Sequence, residues 1–361
     1  MRPFAVIAVI AVLGLLPCPA LAQQVPDWVS RFSIHGYVSQ AYAVSEDHQI
    51  LGIPTEGTTD YRDLALQFRY EQDRKNTFVL QLRQERLGES PRERDDLELD
   101  WAFYQRSVSD RLTLKAGRIP LPLGIFNEAG GPGTASPFFR PPNEFYERRY
   151  TSKTLEGVLG SVSLDAPAGW SFDVDGYFGQ WKIDYGEEGE QSNARNAWGG
   201  QVWANTPLPG VRIGGGVYRC DVEPPDGVTA DYLMLHASVE ADLDRWRLAS
   251  EYLSGNLDQW GRYRAWYAQA GYEVTPRVSV HVRGAVARIT TPEYDHDHDH
   301  DTTATLSEDL ALSINYAIHP SIVFKVEGHT NQGFLREDMP QDLYDRPSET
   351  RYVIVSVVAS F

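Results

Sequence analysis

The feature that most constrains this chain is a rhythm. Segments of alternating apolar and polar residues recur along its whole length, and the stretches between them are short and long in turn. Sixteen such segments can be marked, most of them 10 to 14 residues long. Alternation with period two is the signature of a strand whose two faces meet different surroundings. Strands this long exceed the five or six residues usual in soluble sheets and suffice to cross a membrane at a tilt. The short connections include Gln72 to Arg74, Ser109-Asp110 and Pro276, whereas the long ones fall at 45 to 60, 87 to 94, 119 to 153, 181 to 195, 221 to 229, 255 to 261, 291 to 303 and 332 to 349. An up-and-down antiparallel β-barrel spanning a membrane has this alternation, with an even strand count and both chain ends on the short-turn side. A soluble sandwich has no reason to keep it.

Cost decides which face looks outward. A Lys or Arg facing lipid near the bilayer midplane costs about 2 to 4 kcal/mol. In the third segment Phe78, Leu80 and Leu82 are then expected to face lipid, with Gln81, Arg83 and Glu85 inside. In the fourth, Leu97, Leu99, Trp101 and Phe103 are expected outside, with Glu98 and Asp100 inside. The interior so defined is polar, and sixteen strands leave an aqueous channel where eight would be filled by side chains. Aromatic residues make up 12% of the chain, enough for a girdle at each interface. Phe32, Tyr70, Phe103, Trp170, Trp246, Tyr272 and Tyr316 are expected near the short-turn rim, and Tyr42, Phe178 and Tyr252 near the other.

The chain opens with Arg2, an apolar run from Phe4 to Leu16 and then Ala20-Leu21-Ala22 before Gln23. This is the layout of a cleaved secretory signal over residues 1–22, leaving 23–361 as the barrel. A lipoprotein anchor at Cys18 would want a small residue where Pro17 stands. No later segment reaches the 18 or more apolar residues of a spanning helix. A membrane-spanning mature chain must therefore span with strands. Cys220 has no partner for a disulfide in the mature chain. The balance of 33 basic against 50 acidic residues argues against nucleic acid as a partner.

Particular residues add a resemblance. His35-Gly36-Tyr37-Val38-Ser39-Gln40-Ala41-Tyr42 opens the first strand, and Asp96-Leu97-Glu98-Leu99-Asp100-Trp101-Ala102 precedes Ala116-Gly117-Arg118-Ile119-Pro120-Leu121-Pro122-Leu123-Gly124-Ile125-Phe126-Asn127-Glu128. The last segment resembles the Gly-Arg-x-x-x-Pro-x-Gly-x-x-Asn block of porin-like outer-membrane proteins, and the chain is similar to the Gram-negative porin superfamily. The motif covers roughly the first 150 residues. A final strand ending in Phe361 resembles the insertion signal of such barrels. The resemblance implies the Gram-negative outer membrane, a water-filled channel for ions and small hydrophilic solutes, contact with outer-membrane lipid and lipopolysaccharide, and a homotrimer.

Porins resembling this chain fold the third long loop, here 119 to 153, into the barrel to narrow the pore. Six prolines restrict it, and it carries Glu128, Arg140, Glu144, Glu147, Arg148 and Arg149. In a confined passage such charges set ion preference; on an outward-lying loop they would simply be solvated. Arg69, Arg83, Glu98, Asp100, Lys115 and Arg283 are the wall residues expected to line the pore. Asp295-His296-Asp297-His298-Asp299-His300-Asp301 interleaves imidazole with carboxylate, so His296, His298 and His300 are candidates for a weakly bound divalent metal. The competing account is a solvated loop, and no other cofactor is expected. No Gly-x-Ser-x-Gly elbow is present, and the reading is non-enzymatic. An adhesin, a structural barrel or a metal-scavenging porin remain as alternatives, because long loops serve binding as readily as passage.

Overall fold

The structure is a computed structural model that describes residues 28–90, 97–127, 136–146, 151–184, 191–223, 229–294, 299–333 and 348–361. The leader read at 1–22 lies outside these residues, as do Glu128, Glu147, Arg148, Arg149, His296 and His298.

Among the described residues, sixteen strands form one closed barrel. They are β1 Phe32–Ser45, β2 Thr58–Glu71, β3 Asn76–Leu87, β4 Glu98–Ser107, β5 Leu112–Pro120, β6 Thr154–Asp165, β7 Ser171–Asp184 and β8 Gln191–Asn205, then β9 Val211–Glu223, β10 Ala230–Leu243, β11 Trp246–Asn256, β12 Arg262–Thr275, β13 Val278–Tyr294, β14 Asp299–His319, β15 Ile322–Gly333 and β16 Ser348–Ser360. Each pairs antiparallel with its neighbours in sequence, and β16 closes on β1 from Tyr37 opposite Ser360 to Ser45 opposite Tyr352.

The tight turns at one end are closed by side-chain oxygens. Asp73 accepts from the backbone N–H groups of Lys75 at 2.7 Å and Asn76 at 2.9 Å. Ser109 does the same for Leu112, and Thr275 for Val278, both at 3.1 Å. Such residues mimic a backbone turn and set the register of the following strand.

The distribution of polarity is inverted relative to a soluble protein. Ile34, Phe78, Leu80, Leu235 and Leu312 are exposed on the outer face, whereas Asp63, Gln81, Gln201, Glu251 and Asp309 are buried within. An apolar exterior around a closed sheet that leaves no strand edge free is what a bilayer requires. Near the tight turns the outer rings associate: Phe32 with Tyr70 at 4.8 Å, Phe78 with Tyr104 at 5.1 Å and Trp246 with Tyr272 at 4.8 Å.

Three expectations from sequence are corrected. The first concerns β4, where a register shift between Gln81 and Leu82 of β3 inserts an extra residue, Asp100. A bulge of this kind reverses the alternation beyond it. Leu99 stays outside at 42% exposed, but Trp101 is 8% exposed and pairs with inward Gln81. Phe103 likewise turns inward, pairing with buried Val79 and lying under the Lys115 ammonium at 5.9 Å. Tyr104 takes the place expected of Phe103 in the girdle.

The second concerns loop lengths. Much of 181 to 195 is strand, with β7 and β8 paired as far as Asp184 opposite Gln191. Most of 291 to 303 is strand too, paired as far as Tyr294 opposite Asp299. Trp181 and Ile183 find apolar cover inside, which lets the β7–β8 pairing continue through residues read from sequence as loop.

The third concerns the lumen, which is not polar throughout. Toward the long-loop end the inner faces of β6 to β13 contribute Leu159, Tyr218, Tyr232, Met234, Leu253 and Tyr263 to a buried apolar cluster. Leu121, Leu123 and Phe145 of the longest connection complete it. That connection supplies apolar surface inside the barrel, so the wall opposite it reads as a protein core.

Candidate functional site

The longest connection, 121–153, is described over 121–127, 136–146 and 151–153. The porin-like block at its start has a physical reading, residue by residue. Gly117 has φ 128° and lies against the carbonyl of Ala102, where a Cβ would collide. Arg118 Nε donates to the Asp100 carbonyl at 3.0 Å, which holds the bulge of β4. Gly124 turns with φ 63°, in the left-handed region that favours glycine. Asn127 Nδ2 donates to the carbonyls of Leu121 at 3.3 Å and Ser152 at 2.7 Å, tying the two legs of the loop together.

From that turn the chain is bonded to one wall strand after another. The N–H of Gly124 donates to Gln201 Oε1 of β8 at 2.8 Å. Glu251 of β11 accepts four donors: the N–H of Ile125 at 2.9 Å and the hydroxyls of Tyr146 at 2.5 Å, Ser238 at 2.6 Å and Tyr267 at 2.7 Å. Farther along, the Ser136 carbonyl accepts from Lys325 Nζ of β15 at 2.6 Å. The Pro137 carbonyl accepts from Ser313 and Asn315 of β14, both at 3.0 Å. The Phe139 N–H donates to Glu327 of β15 at 2.6 Å, and the Arg140 carbonyl accepts from Arg283 of β13 at 3.0 Å.

Pro141 and Pro142 then lead into one helical turn, α1, Asn143–Tyr146. Proline suits this position because its missing donor would be unmet there anyway. The Pro142 carbonyl accepts the N–H groups of Phe145 and Tyr146. Glu144 Oε1 accepts from Ser307 of β14 at 2.7 Å, and the Glu144 carbonyl accepts the Tyr263 hydroxyl of β12. Burial first, and the neighbouring Asp309 second, hold the Glu144 carboxyl above the usual carboxylate range. Burial and the Glu251 carboxylate push the Tyr146 hydroxyl well above the usual phenol value, so it remains a donor.

A second charged group lines the wall of β2 and β3. Arg83 is bidentate to Asp63, both contacts at 2.8 Å, and reaches Glu85 at 3.2 Å. Lys153, on the returning leg of the loop, donates to Glu85 at 2.8 Å, and Tyr37 donates to Asp63 at 2.9 Å. Alternating charges in contact orient one another, and removal of one would leave its partners buried and uncompensated.

The candidates from sequence therefore fall into separate groups. Arg83 belongs to the β2–β3 ladder, with Glu98 opposite it in register. Asp100 accepts from Gln81 at 2.7 Å. Arg140, Glu144 and Arg283 meet at a small cavity against the inner face of β13 to β16. Arg69 bonds Glu71 at 3.0 Å near the tight turns, and Lys115 covers Phe103, so neither joins those groups. Asp309, His329, Ser307 and Tyr352 escaped sequence reasoning. Their inward parity on β14 to β16 was the available signal, but no motif marks them. His300 lies on β14 with its backbone opposite Glu293. Among the described residues, no group of three or more His, Cys, Asp or Glu is placed to hold a metal ion.

The chain matches no family model and no curated protein sequence. Solved structures match it in fold. OmpF of Salmonella typhi, in complex with daunomycin, has a TM-score of 0.62 at 11% identity, over 91% of this chain and 97% of that one. An anion-selective porin from Comamonas acidovorans has a TM-score of 0.58 at 11% identity, covering 91% and 99%. OmpT of Vibrio cholerae in its trimer form has a TM-score of 0.55 at 10% identity, again covering 91% and 99%. The fold is that of the Gram-negative outer-membrane porins, a sixteen-stranded transmembrane β-barrel.

Proposed function

We propose that this protein is an outer-membrane channel that admits ions and small hydrophilic solutes by passive diffusion, with 121–153 as the element that narrows it. The observation that carries the reading is the series of bonds from 124 to 146 onto the inward faces of β8 and β11 to β15. A loop laid along the inner wall reduces the cross-section left for water, and charges confined there act on ions more strongly than at an open surface. A chamber of about 290 Å³ lies below the loop toward the tight turns, with Phe126, Gln269, Arg247 and His281 in its wall. In this reading the chamber lies on the solute path, with both polar and apolar groups in its wall. A homotrimer in contact with lipid and lipopolysaccharide is the assembly this reading implies, and it requires no enzymatic step.

Planar-bilayer recording tests it. The mature protein is expected to give discrete water-filled conductances, and removing Gly130 to Pro142 is expected to raise them while the wall strands stay paired. Silent bilayers with a folded, heat-modifiable barrel would reject the channel in favour of an adhesin or structural barrel. Unchanged conductance in the deletion variant would reject the loop as the narrowing element.

A further inference from the structure

α1 carries Glu144 against the wall, where ionisable groups from several strands converge. A cavity of about 20 Å³ separates Glu144 from Asp309 of β14, Glu327 and His329 of β15, Tyr352 of β16, Arg283 of β13 and the loop's own Arg140. The two wall carboxylates have a partner in common: His329 Nδ1 lies 3.1 Å from Asp309, and its Nε2 lies 3.5 Å from Glu327. Tyr352 also donates to Asp309 at 3.2 Å, and Lys325 stands two residues before Glu327 on the same inner face. Arg283 turns one donor to the Arg140 carbonyl and lays its guanidinium 4.2 Å from the Phe138 ring centre. Glu144 is thus a third carboxylate brought by the loop to a site whose wall already holds two.

We propose that α1 is a proton-operated latch: Glu144 docks beside Asp309 as the neutral acid, and its ionisation drives α1 off the wall and widens the passage. The conductance consequence rests on the constriction reading above. Two like-charged carboxylates sharing a dry site cannot both ionise cheaply. Burial and Asp309 raise the Glu144 carboxyl, while the Ser307 bond and the Arg283 charge oppose them without cancelling the rise. The docked form therefore holds the proton more tightly than the released form, whose ordinary value is about 4.3. Docking is strongest below that value and weakens as pH rises through the docked value, by up to about tenfold per pH unit for one linked proton.

The test reads two quantities on the full chain between about pH 4 and pH 8: single-channel conductance in planar bilayers, and amide-exchange protection of Phe145 and Tyr146 in detergent, corrected for the intrinsic rate. The wild-type conductance is expected to rise with pH along a one-proton curve as protection falls. Glu144→Gln is expected to stay in the low-conductance, protected state at every pH. Ser307→Ala removes a bond that favours the ionised form, so the transition is expected to move to higher pH. Conducting pores with a flat profile and constant protection would overturn the latch and leave the channel standing. A pH response that survives in Glu144→Gln but disappears in His329→Asn would also overturn it, by assigning the proton to His329. Silent bilayers with pH-dependent protection would instead reject the channel reading and retain the latch.

Discussion

The carboxylate of Glu251 occupies the space that a side chain on Gly124 would need. A Cβ there would collide with Glu251 and with the Tyr146 hydroxyl, and the backbone at Gly124 is already left-handed. Gly124→Ala is therefore expected to cost about 1 to 3 kcal/mol from backbone strain alone. The midpoint of heat modification of the folded band measures it. Gly284→Ala is the control, because nothing lies within 4 Å of that position and its melting is expected to stay near wild type.

Tyr146→Phe tests the same turn from the other side. The hydroxyl donates to Glu251 at 2.5 Å and accepts the N–H of Phe126 at 3.0 Å. Its removal leaves the half-buried Phe126 N–H without this acceptor, a loss of about 1 kcal/mol. Faster exchange of the Phe126 amide, with the strands still protected, is the expected result. Unchanged exchange there would mean that the hydroxyl does not hold the turn.

The bulge in β4 makes a prediction that simple alternation reverses. Leu99→Lys places an ammonium in lipid at about 2 to 4 kcal/mol, whereas Trp101→Lys places it inside. Folding yield into lipid vesicles is expected to fall for the first and to fall less for the second. Equal losses would return Trp101 to the outer face.

The His/Asp run is testable without reference to its fold. Zn²⁺ or Ni²⁺ at millimolar concentration is expected to bind from the loop side, best above the ordinary imidazole value of about 6.5. Replacing His296, His298 and His300 together with Ala is expected to abolish the calorimetric signal. Binding that persists in the triple variant would place the metal elsewhere.

Most of the barrel was legible because a bilayer imposes a single rule on every strand. Ile34, Leu80 and Leu312 must meet lipid, and the period-two pattern follows from that alone. The fourth strand was misread beyond Asp100 because a bulge adds one residue without changing composition, and Trp101 and Phe103 are apolar enough for either face. The apolar part of the lumen was hidden for a related reason. Tyr218, Leu253 and Tyr263 are buried against the loop, and a segment's own pattern says nothing about what covers it. The cluster of Glu144 with Asp309, His329 and Tyr352 joins a loop residue to the inner faces of three strands, β14 to β16, that lie far from it in sequence. Each is an ordinary polar residue in its own segment, so only their meeting distinguishes them.

The closing seam bears on how the molecule is made. Gly36 and Phe361 exchange both backbone hydrogen bonds at 3.0 Å, and the Phe361 ring lies where a side chain on Gly36 would be. These partners are separated by most of the sequence, so their pairing is the least local contact of the barrel and the one whose closure costs the most chain entropy. Until it forms, β1 and β16 each present a row of unpaired backbone groups, a template for another chain. The hazardous interval in this protein's life is therefore the time spent as an open ribbon. A fault at Gly36 is expected to appear as lost yield during biogenesis, with normal currents from the molecules that do close.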